Sequence, residues 1–194
     1  MKKILVIGAT GQIGSALMTK LRKEYGNDNV VAGYIEGVPL SDELKNGGPL
    51  GIADVTNAQQ IAAIIDKYKI DSIYNLAAIL SAQAEKRPLL AWNIQIGGVL
   101  NLLEISREKG CSLFTPSSIG AFGDSSPKMK TPQETIQRPR TIYGVSKVSC
   151  ELLSDYYFYR YGVDTRSVRF PGLISYLSLI HISETTRLDV ISYA

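Results

Sequence analysis

The sequence predicts an α/β fold, a doubly wound parallel sheet, and three observations carry that expectation. Strand-like and helix-like segments alternate along the chain. The strand-like segments are near-continuous runs of Val, Ile and Leu, as in strands covered on both faces. The first of them runs directly into a glycine-rich turn that opens a helix. The 194 residues suit one domain, and 45% hydrophobic with 20% charged residues is ordinary for a globular protein. That length is enough to bury a sizeable core.

From the N-terminus, residues 3–7 form the first strand. Its apolar run is too short for a signal peptide and ends at Gly8. Residues 12–25 follow as a helix, 29–34 as a strand, and 49–53 as a weaker strand candidate. A helix over 58–68 leads to a strand at 72–76. In the helix over 88–109, apolar residues between positions 89 and 103 recur at spacings of three and four, with Asn101 among the polar exceptions. A strand at 112–115, a helix over 143–161 and a strand at 165–170 complete the pattern. The expected strand order is 3-2-1-4-5-6. There is no internal repeat and no low-complexity segment.

Composition narrows the function classes. A net charge of +3, with 21 basic residues scattered along the chain, points to neither nucleic acid nor anionic lipid as a partner. No run of 18 apolar residues suggests a transmembrane helix. The two cysteines, Cys111 and Cys150, do not make a disulfide framework and suit the cytoplasm. With His181 as the one histidine, a metal site is not expected. Any redox chemistry then falls to an organic cofactor.

Strand one ends in Gly8-Ala9-Thr10-Gly11-Gln12-Ile13-Gly14, a G-x-x-G-x-x-G turn. Glycines there allow a sharp turn, close approach of backbone to a pyrophosphate, and tight helix–strand packing. The helix N-terminus offers N–H groups and the positive end of its dipole to phosphates. A glycine triplet alone is a weak signal, but its place between strand and helix is the confirming context. The acidic residue that reads the adenosine ribose should come about 20 positions later. Tyr34 stands there instead, and Glu36 is the nearest carboxylate. No Arg or Lys lies nearby to meet a 2′-phosphate, so NAD is expected rather than NADP. Asp54, followed by Val55, either bonds the adenine amino group or caps the 58–68 helix; Thr56 and Asn57 are equally able caps.

Tyr143-Gly144-Val145-Ser146-Lys147 sets a tyrosine and a lysine at i and i+4, on one helix face. A phenol of pKa about 10 acts as a base near neutrality only if that value is pulled down, which a neighbouring ammonium does. Ser117 and Ser118 follow strand five, at the carboxyl edge where α/β sites assemble. Y-x-x-x-K occurs by chance on many helices; its weight here comes from the glycine turn and strand-end serine before it.

These pieces together resemble the extended short-chain dehydrogenases/reductases, a family that includes sugar-nucleotide epimerases and dehydratases. The matching segments are GATGQIG at 8–14, DV at 54–55, NLAA at 75–78, PSS at 116–118, YGVSK at 143–147 and RFPG at 169–172. They span about residues 1 to 175. The resemblance implies a Rossmann-type domain whose turn residues Gly8, Gly11, Gln12, Ile13 and Gly14 hold NAD. It implies that Leu76, Ala77 and Ala78 line the cofactor, that Asn93 supports the site, and that Pro171 and Leu173 flank the nicotinamide. Ser118 is implied to orient the substrate oxygen, a role Ser117 fits less well.

A narrower resemblance, carried most by AAILSAQAEKRP, is to the short-chain type of L-threonine 3-dehydrogenases. It implies that Ser81 helps hold the amino acid, though Ser81 also reads as a plain loop or cap residue. Tyr143 would take the proton of the threonine C3 hydroxyl while Ser118 holds that oxygen. A hydride would pass from C3 to NAD, giving 2-amino-3-oxobutanoate. Lys147 would lower the Tyr143 pKa and bond the nicotinamide ribose. The helices over 88–109 and 143–161 would form a homodimer. Two other readings stay open: an NAD-dependent sugar-nucleotide epimerase or dehydratase, and a non-catalytic NAD-binding protein.

The family pattern stops after residue 175, where a Gly- and Thr-rich stretch and a substrate lobe should follow. Residues 176–194 resemble a translated sequencing-adapter string found at the ends of assembled environmental genes. The expectation is a dinucleotide-binding domain over 1–175, a missing C-terminal substrate lobe, a non-native tail over 176–194, and no threonine turnover by the chain as written.

Overall fold

The computed structural model describes residues 2–173; the 176–194 tail lies outside the described residues. Eight strands form in chain order: β1 (Ile4–Ile7), β2 (Val30–Tyr34), β3 (Leu50–Ile52), β4 (Ser72–Asn75), β5 (Ser112–Phe114), β6 (Ser117–Ser118), β7 (Thr165–Arg166) and β8 (Arg169–Phe170). The helices are α1 (Gln12–Tyr25), α2 (Asp42–Asn46), α3 (Ala58–Tyr68), α4 (Ser81–Lys86), α5 (Pro88–Trp92), α6 (Gly98–Lys109) and α7 (Ile142–Tyr161). A π-helical segment, Asn93–Gly97, joins α5 to α6.

Six strands make one sheet in the order β3-β2-β1-β4-β5-β7, with every pairing parallel. This is the expected doubly wound order, with the last long-range strand in sixth place. One predicted strand shortens and another divides. The stretch at 112–115 gives way at Pro116, and 165–170 splits into β7 and β8, so that β6 and β8 pair as a separate two-stranded ribbon. Two short helices, α2 and α4, fall where no helix was expected.

The unbroken apolar runs follow from burial on both faces. Leu5, Ile7, Val31, Ile73 and Leu113 face one core, filled by Ile61, Ile65, Leu102, Leu103 and Tyr157 of α3, α6 and α7. Ile4, Val6, Val30 and Ala32 alternate to the other face and pack against Met18, Leu21 and Leu44 of α1 and α2. Pro88–Lys109 is long and apolar enough by length and composition alone to cross a membrane, although it holds no unbroken run of 18 apolar residues. Half of its most apolar window is buried inside the fold, where its apolar stripe serves as core.

Helix ends follow local chemistry. The Asn57 side chain accepts from the Gln60 N–H at the start of α3, and Thr141 accepts from Gly144 N–H at the start of α7. The second cap fixes where the Tyr143–Lys147 helix begins.

Candidate active site

The glycine turn is shaped by atoms that are absent. Gly8 adopts φ +78°, and its N–H and that of Ala9 both donate to the Gly33 carbonyl of β2 at 3.1 Å. A Cβ on Gly14 would lie 2.1 Å from the Gly8 carbonyl oxygen, so α1 can approach the turn only with glycine there. The Gly11 cap of α1 carries no side-chain hydrogen bond, and the first turn holds no acidic residue. Backbone N–H groups and the positive helix end therefore face outward without a competing anion, which fits a diphosphate. Gly11 and Gln12 are exposed and Ile13 is half-buried.

Beyond β2, Tyr34 is half-buried and Glu36 is exposed in the following turn. Asp54 is not the cap of α3, which is Asn57. Its Oδ1 accepts from the Thr56 N–H at 2.8 Å and the Thr56 hydroxyl at 2.7 Å. Val55 beside it is buried. After β4, the Leu76 N–H donates to the Ile7 carbonyl at 2.9 Å, and the Ala77 N–H to Asn75 Oδ1 at 3.2 Å. The Leu76 and Ala77 backbone lies close against Gly8 of the glycine turn, and Ala78 follows.

A cavity of about 20 Å³ lies between that segment and α7, lined among others by Ala77, Gln95, Thr115, Lys147 and Cys150. Among the described residues, the Gln95 amide and the Thr115 hydroxyl are buried there without a hydrogen-bond partner. Both groups face a space of about one water's size, too small as it stands to admit part of a dinucleotide. Gln95 is the residue that sequence reading missed. Asn93 instead is exposed, its Oδ1 lying close over Gly97. The available signal was a polar residue in the buried row Ala91, Gln95, Val99.

Ser118 ends β6 with its Oγ accepting from the Gly120 N–H at 3.1 Å. Across from it, Tyr143 opens the first turn of α7, with Lys147 one turn further on the same face. The Lys147 Nζ donates to the Pro116 carbonyl at 2.9 Å and sits 5.4 Å from the centre of the Tyr143 ring. Ser118, Tyr143 and Lys147 thus converge at the carboxyl edge of the sheet.

Their ionisation corrects one expectation. Burial pushes the Tyr143 phenol above its ordinary value, and interaction with the Ser118 hydroxyl only partly offsets this. Burial likewise lowers the Lys147 ammonium, with nearby Cys150 and Glu151 pulling it back up. In the protein alone, desolvation outweighs any help that Lys147 gives Tyr143. Of the remaining candidates, Ser81 is half-buried at the first position of α4 and caps nothing, while Pro171 and Leu173 are exposed just beyond β8.

A parallel sheet with a glycine turn after its first strand, and a strand-end serine facing a Y-x-x-x-K helix, defines a Rossmann-type protein of the short-chain dehydrogenase kind. The sequence pattern of the NAD dependent epimerase/dehydratase family matches residues 4–187, and the chain belongs to that family. An uncharacterized epimerase/dehydratase of Staphylococcus haemolyticus is 55% identical over 177 residues, 91% of this chain and 55% of that protein. The L-threonine dehydrogenase structure from Clostridium difficile is 56% identical with a TM-score of 0.84, covering 91% of this chain and 55% of that one. A UDP-glucose 4-epimerase structure from Thermotoga maritima, with UDP-glucose, is 26% identical with a TM-score of 0.77, covering 86% and 54%. The chain therefore spans about half the length of the relatives it matches.

Proposed function

We propose that the protein represented by this chain is an NAD-dependent L-threonine 3-dehydrogenase. The observation that carries the reading is the convergence of Ser118, Tyr143 and Lys147 beside a glycine turn fit for a diphosphate. Likeness to an L-threonine dehydrogenase at 56% identity supports the substrate. Gly8, Gly11, Gln12, Ile13 and Gly14 would hold the NAD diphosphate, Glu36 and Asp54 its adenosine end, and Leu76, Ala77, Ala78 and Lys147 its nicotinamide ribose end. NAD supplies the hydride acceptor when bound.

Tyr143 Oη takes the proton from the C3 hydroxyl of threonine, and Ser118 Oγ holds that oxygen in place. Ser81, at the start of α4, would help hold the amino acid. The half-buried setting of Tyr143 keeps the phenol protonated at neutral pH. Since the base works only when deprotonated, threonine oxidation should rise with pH across the neutral-to-alkaline range. The test is Tyr143→Phe in the protein extended to full family length. Loss of threonine-dependent NADH formation, with NAD binding retained, is the expected result; unchanged turnover would refute the assignment.

The runner-up, a sugar-nucleotide epimerase, draws on the likeness to UDP-glucose 4-epimerase. In that case UDP-glucose, and not threonine, should protect the protein against unfolding. A homodimer through Pro88–Lys109 and α7 is supported by exposed apolar side chains on both: Leu89, Leu90 and Trp92 on one, Val145, Leu152, Tyr156 and Tyr159 on the other. Sedimentation over a range of concentrations should show a dimer; a monomer throughout would remove that part of the proposal.

A further inference from the structure

One turn beyond Lys147 on α7 stands a second polar centre. The Glu151 side chain is 14% exposed and that of its ion-pair partner, Arg169, is 18% exposed. The Glu151 carboxylate accepts from Arg169 Nε at 3.0 Å, Arg169 Nη2 at 2.7 Å, Gln137 Nε2 at 3.1 Å and the Ser117 hydroxyl. Arg169 Nη1 donates to the Gln133 carbonyl at 2.9 Å, and the guanidinium lies 5.1 Å from the centre of the Phe122 ring.

Each partner comes from a different segment of the proposed site. Ser117 adjoins Ser118 on β6. Phe122, Gln133 and Gln137 lie on the connection from β6 to α7, Glu151 is on the helix of Tyr143 and Lys147, and Arg169 is on β8. The two strands are only two residues long, with Ser117 opposite Arg169 and Ser118 opposite Phe170. A ladder that short cannot hold its own position. The side-chain network, anchored at the same register pair, supplies what the ladder lacks. Stability alone is a poor reason for such a pair, because well-packed apolar side chains would serve as well or better.

We infer that Glu151 and Arg169 are positioning residues: together they set the approach of the Ser118 strand to the Tyr143 helix, and so hold the serine hydroxyl against the phenol. The inference rests on the reading of Ser118 and Tyr143 given above, but its test needs no substrate. Tyrosines labelled at the phenolic carbon are followed by NMR in the 194-residue chain, with the Tyr143 signal identified through Tyr143→Phe. Ser118→Ala removes the serine's contribution and should raise the Tyr143 titration midpoint. Glu151→Gln should move it upward comparably, and in the Ser118→Ala background should move it no further.

Acting directly, loss of the negative charge would move the phenol down; acting through a weakened Lys147 ammonium, it would move it up whether or not Ser118 is present. Only an upward shift that vanishes in the Ser118→Ala background therefore reports displaced geometry. Asp66→Ala, which breaks the surface pair with Lys109 far from this network, should leave the midpoint unchanged. If Glu151→Gln does not fold, Arg169→Lys, which keeps the charge but loses the two-pronged contact, is read the same way. An unmoved or lowered Tyr143 midpoint, an upward shift that persists in the Ser118→Ala background, or an equal shift in Asp66→Ala, overturns the inference. An upward shift in a protein that oxidises no threonine at full length would keep the positioning role and discard the substrate.

Discussion

At the glycine turn the polar atoms on offer belong to the backbone, and Gly14 lacks a side chain where α1 meets the Gly8 carbonyl. At the Ser118–Tyr143–Lys147 end the working atoms are side chains, held in a partly dry place that raises Tyr143 and lowers Lys147. The first region meets its polar requirements through strand and helix geometry: Gly8 and Ala9 bond to Gly33, and Leu76 to Ile7. The second depends on a network of long side chains centred on Glu151 and Arg169. A site made of backbone fails through added atoms, and one made of buried side chains fails through lost partners.

The contrast breaks most visibly at Gly14. In Gly14→Ala the new methyl meets the Gly8 carbonyl oxygen at 2.1 Å and the Ala9 Cα at 2.9 Å, and neither is the end of a flexible side chain. The turn must open, at an expected cost of about 3 kcal/mol in stability. NAD affinity should fall by about tenfold or more, because the N–H groups no longer converge. Urea unfolding and NAD titration on the same preparation measure both. Near-native values for both would show that the turn tolerates a side chain and is not built by backbone alone.

Arg169→Ala should cost about 2–3 kcal/mol, below the range for fully buried pairs, since both partners keep some contact with water. Its pH dependence separates charge from packing. Burial pushes the Glu151 carboxyl up, but hydrogen bonds from Arg169, Ser117 and Gln137 outweigh it and hold the group below the usual carboxylate range. The wild-type contribution is therefore complete above a pH of about 4.3, the ordinary carboxylate value, and is lost as pH falls through the lowered one. Without Arg169 a principal hydrogen-bond partner and the ion-pair charge are gone, so the carboxyl is depressed less and less stability is gained as pH rises. The stability gap between the two proteins should widen from acid to neutral pH. A constant gap would mean that the arginine acts by packing.

The same division governs what could be read from the sequence. The first region is legible because its signature is local: an apolar strand, three glycines and a helix lie within one short stretch. The strand order was legible too, since near-continuous apolar strands need helices on both faces. The second region is assembled across long separations. Y-x-x-x-K and the strand-end serine were visible, but nothing local joins Glu151 to Arg169. Gln95 was legible only as the polar member of the buried row Ala91, Gln95, Val99, and a single polar residue among apolar ones is a weak signal beside the resemblance that pointed to Asn93. Residues 165–170 read as one strand because the break at Ser167 and Val168 carries no glycine or proline.

The smallest effect tests the comparison inside the first region, where side chains do appear. Asp54 and Asn57 flank one short turn, yet they do different work. Asn57 caps α3 by accepting from the Gln60 N–H at 3.1 Å, so Asn57→Ala should cost about 1 kcal/mol and leave NAD affinity unchanged. Half-buried Asp54 accepts from the Thr56 N–H and hydroxyl through its side chain. Asp54→Ala should therefore cost about 0.5 kcal/mol, while weakening NAD several-fold if its carboxylate meets the adenine. If both variants lost stability equally and bound NAD alike, Asp54 would be part of the turn's structure, and the adenosine end would be left to Glu36 and the backbone.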